Sequence, residues 1–392
     1  MFEYSASDVL RAALPCALIA LLIVRRQLGL PLALLLVALR FGITTVYFIA
    51  SGGDGWLLLD DVTYYEQGLK LQDFGGELWY LFFDPYGRET LAGIAGSSHF
   101  FYTWWAGLTM YLLGPYYFVP VLVNVTVSFL TARIIWRLAL RGGFSESYAR
   151  GLLIFALIHW DIIAWSSFIN LKDNLIVCLT VWLIALVSSL TERGKSLGRS
   201  SWLVGQFALC GMIFFNFRFY VPFLLLSAIL LWSILKLRGK LKWSLLVVTA
   251  VALHYSFEVV RPALEQIAYV PDNAILSLGR ALLSPLPWSV DPEYSFLLIP
   301  AFLHLVTVPA AAIGGVSLYR RGGLTALLVT YLLFVILLIT LQPEYFGPRH
   351  RFQVVFCLLW MQFEGLAWLV RRRGNPVTAP IDHHRRIQIP PG

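Results

Sequence analysis

The chain has 392 residues, of which 58% are hydrophobic and 13% charged, with a formal net charge of +8 and a mean hydropathy of +0.72. That balance excludes a soluble globular protein, and the basic residues fall in short clusters between apolar runs, which argues against nucleic acid as a partner. The expected class is all-α: a polytopic membrane protein whose apolar runs cross ~30 Å of hydrocarbon as helices.

The first run, residues 9–24, carries Pro15 and ends at Arg25-Arg26. A second run, 31–50, leads into the most acidic part of the chain. From Asp54 to Glu89 there are eight carboxylates against two basic residues, Lys70 and Arg88. Residues 99–113 are apolar and rich in Trp and Tyr but only about fifteen residues long. With Tyr102, Trp104, Trp105 and Tyr111 they suit a helix lying at the headgroup level.

That choice sets the topology. The run 116–136 then goes inward to Arg133, Arg137, Arg141 and Arg150. The runs 151–168, 171–190, 202–217, 219–235, 243–260, 296–318, 324–341 and 352–370 follow in alternating directions. About eleven spans result, with every basic cluster cytoplasmic, including Arg371-Arg372-Arg373. Residues 51–100 and 261–295 are long outer loops, and the second contains an amphipathic stretch at 274–283. Residues 1–373 form one transmembrane domain, and 374–392 read as a disordered cytoplasmic tail. Cys16, Cys178, Cys210 and Cys357 lie in apolar segments without metal-ligand spacing and read as core residues.

Outside the cytoplasmic clusters, the remaining charges are expected at the outer ends of spans. They are Asp60-Asp61, Asp161, Lys172-Asp173, Arg218 and Arg349-His350-Arg351. Each has a structural reading. Asp60-Asp61 suit a solvated loop or a helix cap, Lys172-Asp173 a helix-start pair, and Asp161 a buried paired carboxylate. Charges beside membrane segments normally face a cavity or a protein interior, so their convergence on one face describes a single polar site.

The stretch Asp60-Asp61-Val62-Thr63-Tyr64, with Gly68 beyond it, resembles the first outer loop of the GT-C class of integral-membrane glycosyltransferases. That class includes protein O-mannosyltransferases and bacterial aminoarabinose transferases. It has an acidic pair at this place, with a tyrosine four residues after its first member. Residues 165–173, ending in Lys172-Asp173, resemble its second acidic region. Ser97-Ser98-His99 stand where the class usually has a Pro-Pro or Pro-Leu entry to the aromatic helix, and a large soluble C-terminal domain is absent.

The resemblance implies a polyprenyl-phosphate-linked sugar as donor, a glycan, lipid or protein acceptor, and inversion at the outer face of the plasma (inner) membrane. Such chemistry requires a carboxylate base for the acceptor hydroxyl and cations for the leaving phosphate. Asp60 is the first candidate for the base and Asp61 the second. Arg218, Arg349 and Arg351 lead as phosphate ligands because guanidinium forks match phosphate oxygens; Lys172 and His350 follow. Asp173 is assigned to orienting Lys172 or the acceptor. A divalent metal bridging Asp60 or Asp61 to Asp173 is ranked below the cofactor-free form. The competing enzyme reading is an outer-face polysaccharide polymerase or ligase using a polyprenyl-diphosphate oligosaccharide. A transporter or lipid flippase is the non-enzyme reading.

Overall fold

α1 (Ala6–Leu28) starts on a reciprocal cap: Ser5 Oγ accepts from the Asp8 N–H at 3.3 Å, and Asp8 Oδ2 accepts from the Ser5 N–H at 2.9 Å. Arg25 and Arg26 in its last turn complement the helix dipole. Gly29, at φ +77°, then turns the chain back into α2 (Leu30–Ser51). Tyr4 donates to the Phe48 carbonyl at 3.2 Å and closes this hairpin at its far end. The computed structural model describes residues 4–52, 55, 56, 58–96, 100–190, 197–218, 220–236, 274–340 and 348–374, and no strand occurs among them.

The acidic connection folds as a layer of short helices. These are α3 (Leu59–Lys70), a 3-10 turn at Leu71–Glu77, α4 (Leu78–Leu81), α5 (Pro85–Ala95) and α6 (Phe101–Leu113). α6 has 13 residues, about 20 Å at ~1.5 Å per residue, too short to cross the hydrocarbon. Its aromatics nevertheless depart from the expected headgroup belt. Tyr102 and Trp104 are buried, and Trp104 Nε1 donates to the Leu78 carbonyl at 2.7 Å; Tyr111 alone of the three is exposed. The cause is close packing under α3. A Cβ on Gly68 would overlap the Met110 side chain, and one on Gly107 would meet Leu71 Cδ1 at 2.8 Å. Helices that cross this closely turn their large side chains sideways into the protein.

α7 (Phe118–Arg141) follows, then α8 (Glu146–Ile158) and α9 (Trp160–Ser167), which are bent by 45° at His159. The single run expected at 151–168 is therefore a broken helix. His159 takes extended backbone there, and its Nε2 is 2.8 Å from Gln362 Oε1. The remaining helices are α10 (Asp173–Leu190), α11 (Leu197–Phe215), α12 (Tyr220–Lys236), α13 (Ala274–Leu283), α14 (Leu298–Arg321), α15 (Gly323–Thr340), α16 (Pro348–Phe352) and α17 (Val355–Gly374). α14 and α17 meet backbone to backbone: a Cβ on Gly314 would overlap the Met361 carbonyl, and one on Gly365 the Ala310 carbonyl.

Among the described residues, four helical segments are long and apolar enough to cross a membrane: Ala6–Leu28, Leu30–Ser51, Phe118–Arg141 and Pro292–Arg321. Counting the bent α8–α9 pair as one span makes five. Shorter apolar helices cover Asp173–Ser189, Ser201–Phe214 and Gly323–Leu337. These helices are compatible with a membrane protein, with fewer full-length spans than the eleven expected. The run at 243–260, the loop segment 261–273 and the tail from 375 lie outside the described residues. All four cysteines are buried and unpaired, as their apolar neighbours implied.

Long-range bonds sort the helix ends into two groups. At one end Arg321 donates to the Gly143 carbonyl at 2.8 Å and stacks 3.8 Å from the Phe144 ring centroid. Arg26 and Arg137 are close enough to Arg133 to act on it, and Arg371 pairs with Glu364 at 3.0 Å. At the other end lie the start of α3, the starts of α7 and α10, Arg218, Arg349 and the approach to α14, where Trp56 Nε1 donates to Ser295 Oγ at 2.7 Å. The basic clusters among the described residues and the acidic connection thus occupy opposite ends of the helix bundle. Arg40 breaks the expected pattern: it sits in the middle of α2, fully buried.

Candidate functional site

Adjacent residues 60 and 61 leave α3 about 100° apart, so a helix start necessarily sends them in different directions. Asp61 turns inward. Its Oδ1 accepts from the Leu58 N–H at 2.9 Å, capping the helix, and its Oδ2 accepts from Tyr117 Oη at 2.6 Å. Burial pushes the Asp61 carboxyl up to about 7, against the opposing pull of Tyr117 and the backbone N–H groups. Burial, followed by the Asp61 charge, holds the Tyr117 hydroxyl well above the usual phenol range, so it stays a donor.

The same turn is pinned from behind. Asn170 Nδ2 donates to the Asp61 carbonyl at 3.2 Å, and Asn170 Oδ1 accepts from Tyr102 at 2.8 Å. Asn124 Nδ2 donates to Tyr102 Oη at 3.1 Å and to the Leu171 carbonyl at 3.0 Å. Side chains of α6, α7 and the α9–α10 link therefore hold the start of α3 in place.

Asp60 turns outward and is half exposed. Its Oδ2 pairs with Arg349 Nη1, and its Oδ1 has no hydrogen-bond partner among the described residues. Arg349 Nε reaches Asp173 Oδ2 at 2.7 Å, so one guanidinium bridges two carboxylates. Asp173 is fully buried at the start of α10, and Arg218 Nη2 lies 3.5 Å from its other oxygen. Burial works against the Arg349 charge, yet Asp173 and Asp60 together hold its affinity for the proton above the usual arginine value.

Lys172 Nζ lies 5.3 Å from the centroid of the Tyr64 ring. Burial, then repulsion from Arg218, brings the Lys172 ammonium down to about 8. The Tyr64 hydroxyl is pushed up to about 12 by burial. Asp60, Thr63, Tyr64, Gln67, Ala95, Thr103 and Lys172 line a cavity of about 190 Å³. Gln67 is fixed on both sides: Thr103 donates to its Oε1 at 2.8 Å, and its Nε2 donates to the Ala95 carbonyl at 3.3 Å.

Five of the eight expected site residues thus come together: Asp60, Lys172, Asp173, Arg218 and Arg349. Asp61 lies directly behind them but faces the interior. Arg351 requires a correction. It is buried and donates to the Leu282 carbonyl at 3.2 Å and to the Ser284 carbonyl, fastening the C-terminal end of α13 instead of joining the other cations. Residues 349 and 351 lie two apart on α16 and so face different sides. The side chain of His350 lies outside the described residues.

The metal bridge between Asp60 and Asp173 does not fit this geometry, because the Arg349 guanidinium already stands between the two carboxylates. Among the described residues, no three His, Cys, Asp or Glu side chains gather as a ligand set. Sequence reasoning missed Tyr117, Asn124, Gln67 and Thr103. Asn124 stands alone in an apolar run, which is a usable signal; a tyrosine ahead of a span is indistinguishable from an interfacial anchor. No family model, curated protein or solved structure matches this chain.

Proposed function

We propose that the chain is an integral-membrane glycosyltransferase that moves a sugar from a polyprenyl-phosphate donor to an acceptor hydroxyl at the outer face of the membrane. The observation that carries this reading is the half-exposed Asp60 carboxylate on the rim of a cavity that Lys172 also lines, with Arg349 paired to Asp60 and to Asp173, and Arg218 on the other oxygen of Asp173. Among the described residues, Lys172, Arg218 and Arg349 gather around Asp60 and Asp173, and cations of this kind are what a phosphate group requires.

Asp60 Oδ1 takes the proton of the acceptor hydroxyl as its oxygen attacks the anomeric carbon. The bond from that carbon to the phosphate oxygen breaks, and Lys172 and the two arginines meet the charge that grows on the leaving phosphate. A donor phosphate also competes with Asp60 for Arg349. Drawing the guanidinium away releases the Asp60 carboxylate to accept from the acceptor hydroxyl when the substrate is in place. Basic clusters mark the cytoplasmic side of membrane proteins, and these clusters lie opposite the site, which favours an outward-facing cavity. The chain then completes about eleven spans in the plasma membrane, using the shorter apolar helices and the run at 243–260.

The test is a vesicle assay with the purified chain, a radiolabelled polyprenyl-phosphate sugar and candidate acceptors. Consumption of the monophosphate donor is expected, and Asp60→Asn is expected to abolish it with an unchanged melting temperature. Near-normal transfer by Asp60→Asn refutes the base assignment. Consumption of only a diphosphate-linked oligosaccharide replaces the reading with a polymerase or ligase.

A further inference from the structure

We propose that the cavity between the start of α1 and the α6–α7 link binds a phospholipid with a phosphoethanolamine headgroup. The cavity measures about 500 Å³, within the range of small-molecule sites, and is lined by Asp8, Arg11 and Pro15 of α1 and by residues 112–116. It shares no lining residue with the Asp60 cavity, so the proposal does not rest on the sugar-transfer reading. One wall is held firmly. Tyr65 donates to the Pro115 carbonyl at 3.2 Å, and the Tyr116 ring stacks on Phe118 with centroids 5.2 Å apart. The same ring packs over Gly114 so closely that a Cβ there would stand 2.8 Å from it.

The charges select the ligand. Asp8 and Arg11 are three residues apart on one face of α1, a spacing that puts Cβ atoms about 5–6 Å apart. Asp8 Oδ2 accepts from the Ser5 N–H at 2.9 Å and from Ser5 Oγ at 2.6 Å, and Tyr116 and Arg11 stand near enough to act on this carboxylate. Arg11 is exposed and makes no ion pair among the described residues. A cation and a carboxylate side by side give the cavity no net charge. A simple anion meets Arg11 but is repelled by Asp8, and a simple cation meets the reverse. A zwitterion satisfies both: its phosphate takes the guanidinium fork, and an ammonium two carbons away reaches the Asp8 carboxylate and the Tyr116 hydroxyl. Those acceptors need N–H donors, which a primary ammonium carries and the trimethylated ammonium of a choline lipid lacks.

The position accounts for the tails. α1 is long and apolar enough to cross a membrane, and Asp8 and Arg11 lie in its first two turns, where headgroups stand. The face that carries Asp8, Arg11 and Pro15 continues along the helix as Leu18 and Leu22, both exposed, and Leu112 is exposed at the cavity itself. A polar cavity at the helix end above an exposed apolar stripe matches an amphiphile. A free phosphoethanolamine would leave the stripe unused.

The test incubates the purified full chain in detergent with equal amounts of dioleoyl phosphatidylethanolamine, phosphatidylcholine and phosphatidylglycerol, and native mass spectrometry counts the lipid each molecule retains. The ethanolamine lipid is expected to be retained about tenfold more than the choline lipid, the factor that one charge-assisted hydrogen bond supplies. Asp8→Asn is expected to abolish that preference while keeping an oxygen for the Ser5 N–H. Arg11→Gln is expected to weaken retention of all three lipids, because the phosphate is common to them. Equal retention of the ethanolamine and choline lipids by wild type overturns the proposal. Preference for the glycerol lipid does so too, since it makes the cavity a simple anion site. An ethanolamine preference that survives Asp8→Asn places the lipid elsewhere and is equally fatal. If Asp8→Asn does not fold, Arg11→Gln and Tyr116→Phe decide, and unchanged retention in both overturns the proposal. Soluble phosphoethanolamine at the same concentration is expected not to displace the lipid, and displacement overturns the assignment to a lipid.

Discussion

Replacing Arg349 with methionine separates the two things its guanidinium does. The pair with Asp60 is half exposed to solvent, so its loss costs at most ~1 kcal/mol. The pair with Asp173 is different, because that carboxylate is fully buried. Stranding a buried charge typically costs ~3–5 kcal/mol. Arg218, still 3.5 Å from Asp173 Oδ1, keeps the loss near ~3 kcal/mol. At roughly 2 °C per kcal/mol for a long chain, the melting temperature in nanodiscs is expected to fall by about 6 °C. Asp173→Asn in the same chain removes the stranded charge. The double variant is therefore expected to recover most of the stability, with a coupling of ~2 kcal/mol. On the proposed function, transfer activity is not recovered, because the proposed phosphate ligand is still missing. A single variant as stable as wild type refutes the reasoning, and so do strictly additive losses in the double variant.

Asp61→Asn tests the buried carboxyl through pH. Its folded value, about 7, is above the ordinary 3.8, so the folded state holds the proton longer and this group's contribution to stability falls as pH rises from about 4 to about 7. Three units at ~1.4 kcal/mol each set an upper bound of about 4 kcal/mol. Asparagine is expected to remove that slope in nanodisc melts, and an unchanged slope contradicts the burial argument. Gly314→Ala and Gly365→Ala force α14 and α17 apart, since each new Cβ meets a carbonyl oxygen of the other helix. Each is expected to cost ~3 kcal/mol or more, at the upper end of overpacking. Gly93→Ala, where a Cβ meets nothing within 4 Å, is the control and is expected to be neutral or slightly stabilising. Equal melting temperatures for all three refute the close crossing.

The helical class, the apolar runs and the short acidic connection were legible in the sequence because each is a local property. Hydropathy over about twenty residues needs no knowledge of the fold. Length also identified residues 99–113 as a short helix, and the structure has 13 helical residues there. It did not reveal that Tyr102 and Trp104 point inward, since that follows from the fit of Gly68 against Gly107 across two helices. The break at His159 was equally hidden. No proline or glycine marks it, and the bond to Gln362 comes from 203 residues away.

The candidate site divides along the same line. The residue types and their placement at or beyond the ends of the apolar runs name Asp60, Asp61, Lys172, Asp173, Arg218 and Arg349 without any coordinates. Their roles depend on pairing. Asp60 and Asp61 are chemically identical neighbours, and a rotation of about 100° per residue sends one to a cavity and the other to Tyr117. Arg349 and Arg351 are likewise equivalent on paper. One bridges carboxylates brought from 289 and 176 residues away, and the other ties down the end of α13. Arg40 is the extreme case, a single letter in an apolar run whose burial against Ser128 and Ser166, with no counter-charge among the described residues, emerges only when three helices close around it. Composition and pattern act along the chain and decide what forms. A charge's energy depends on what stands within a few ångströms of it in space, and only the packed helices determine that.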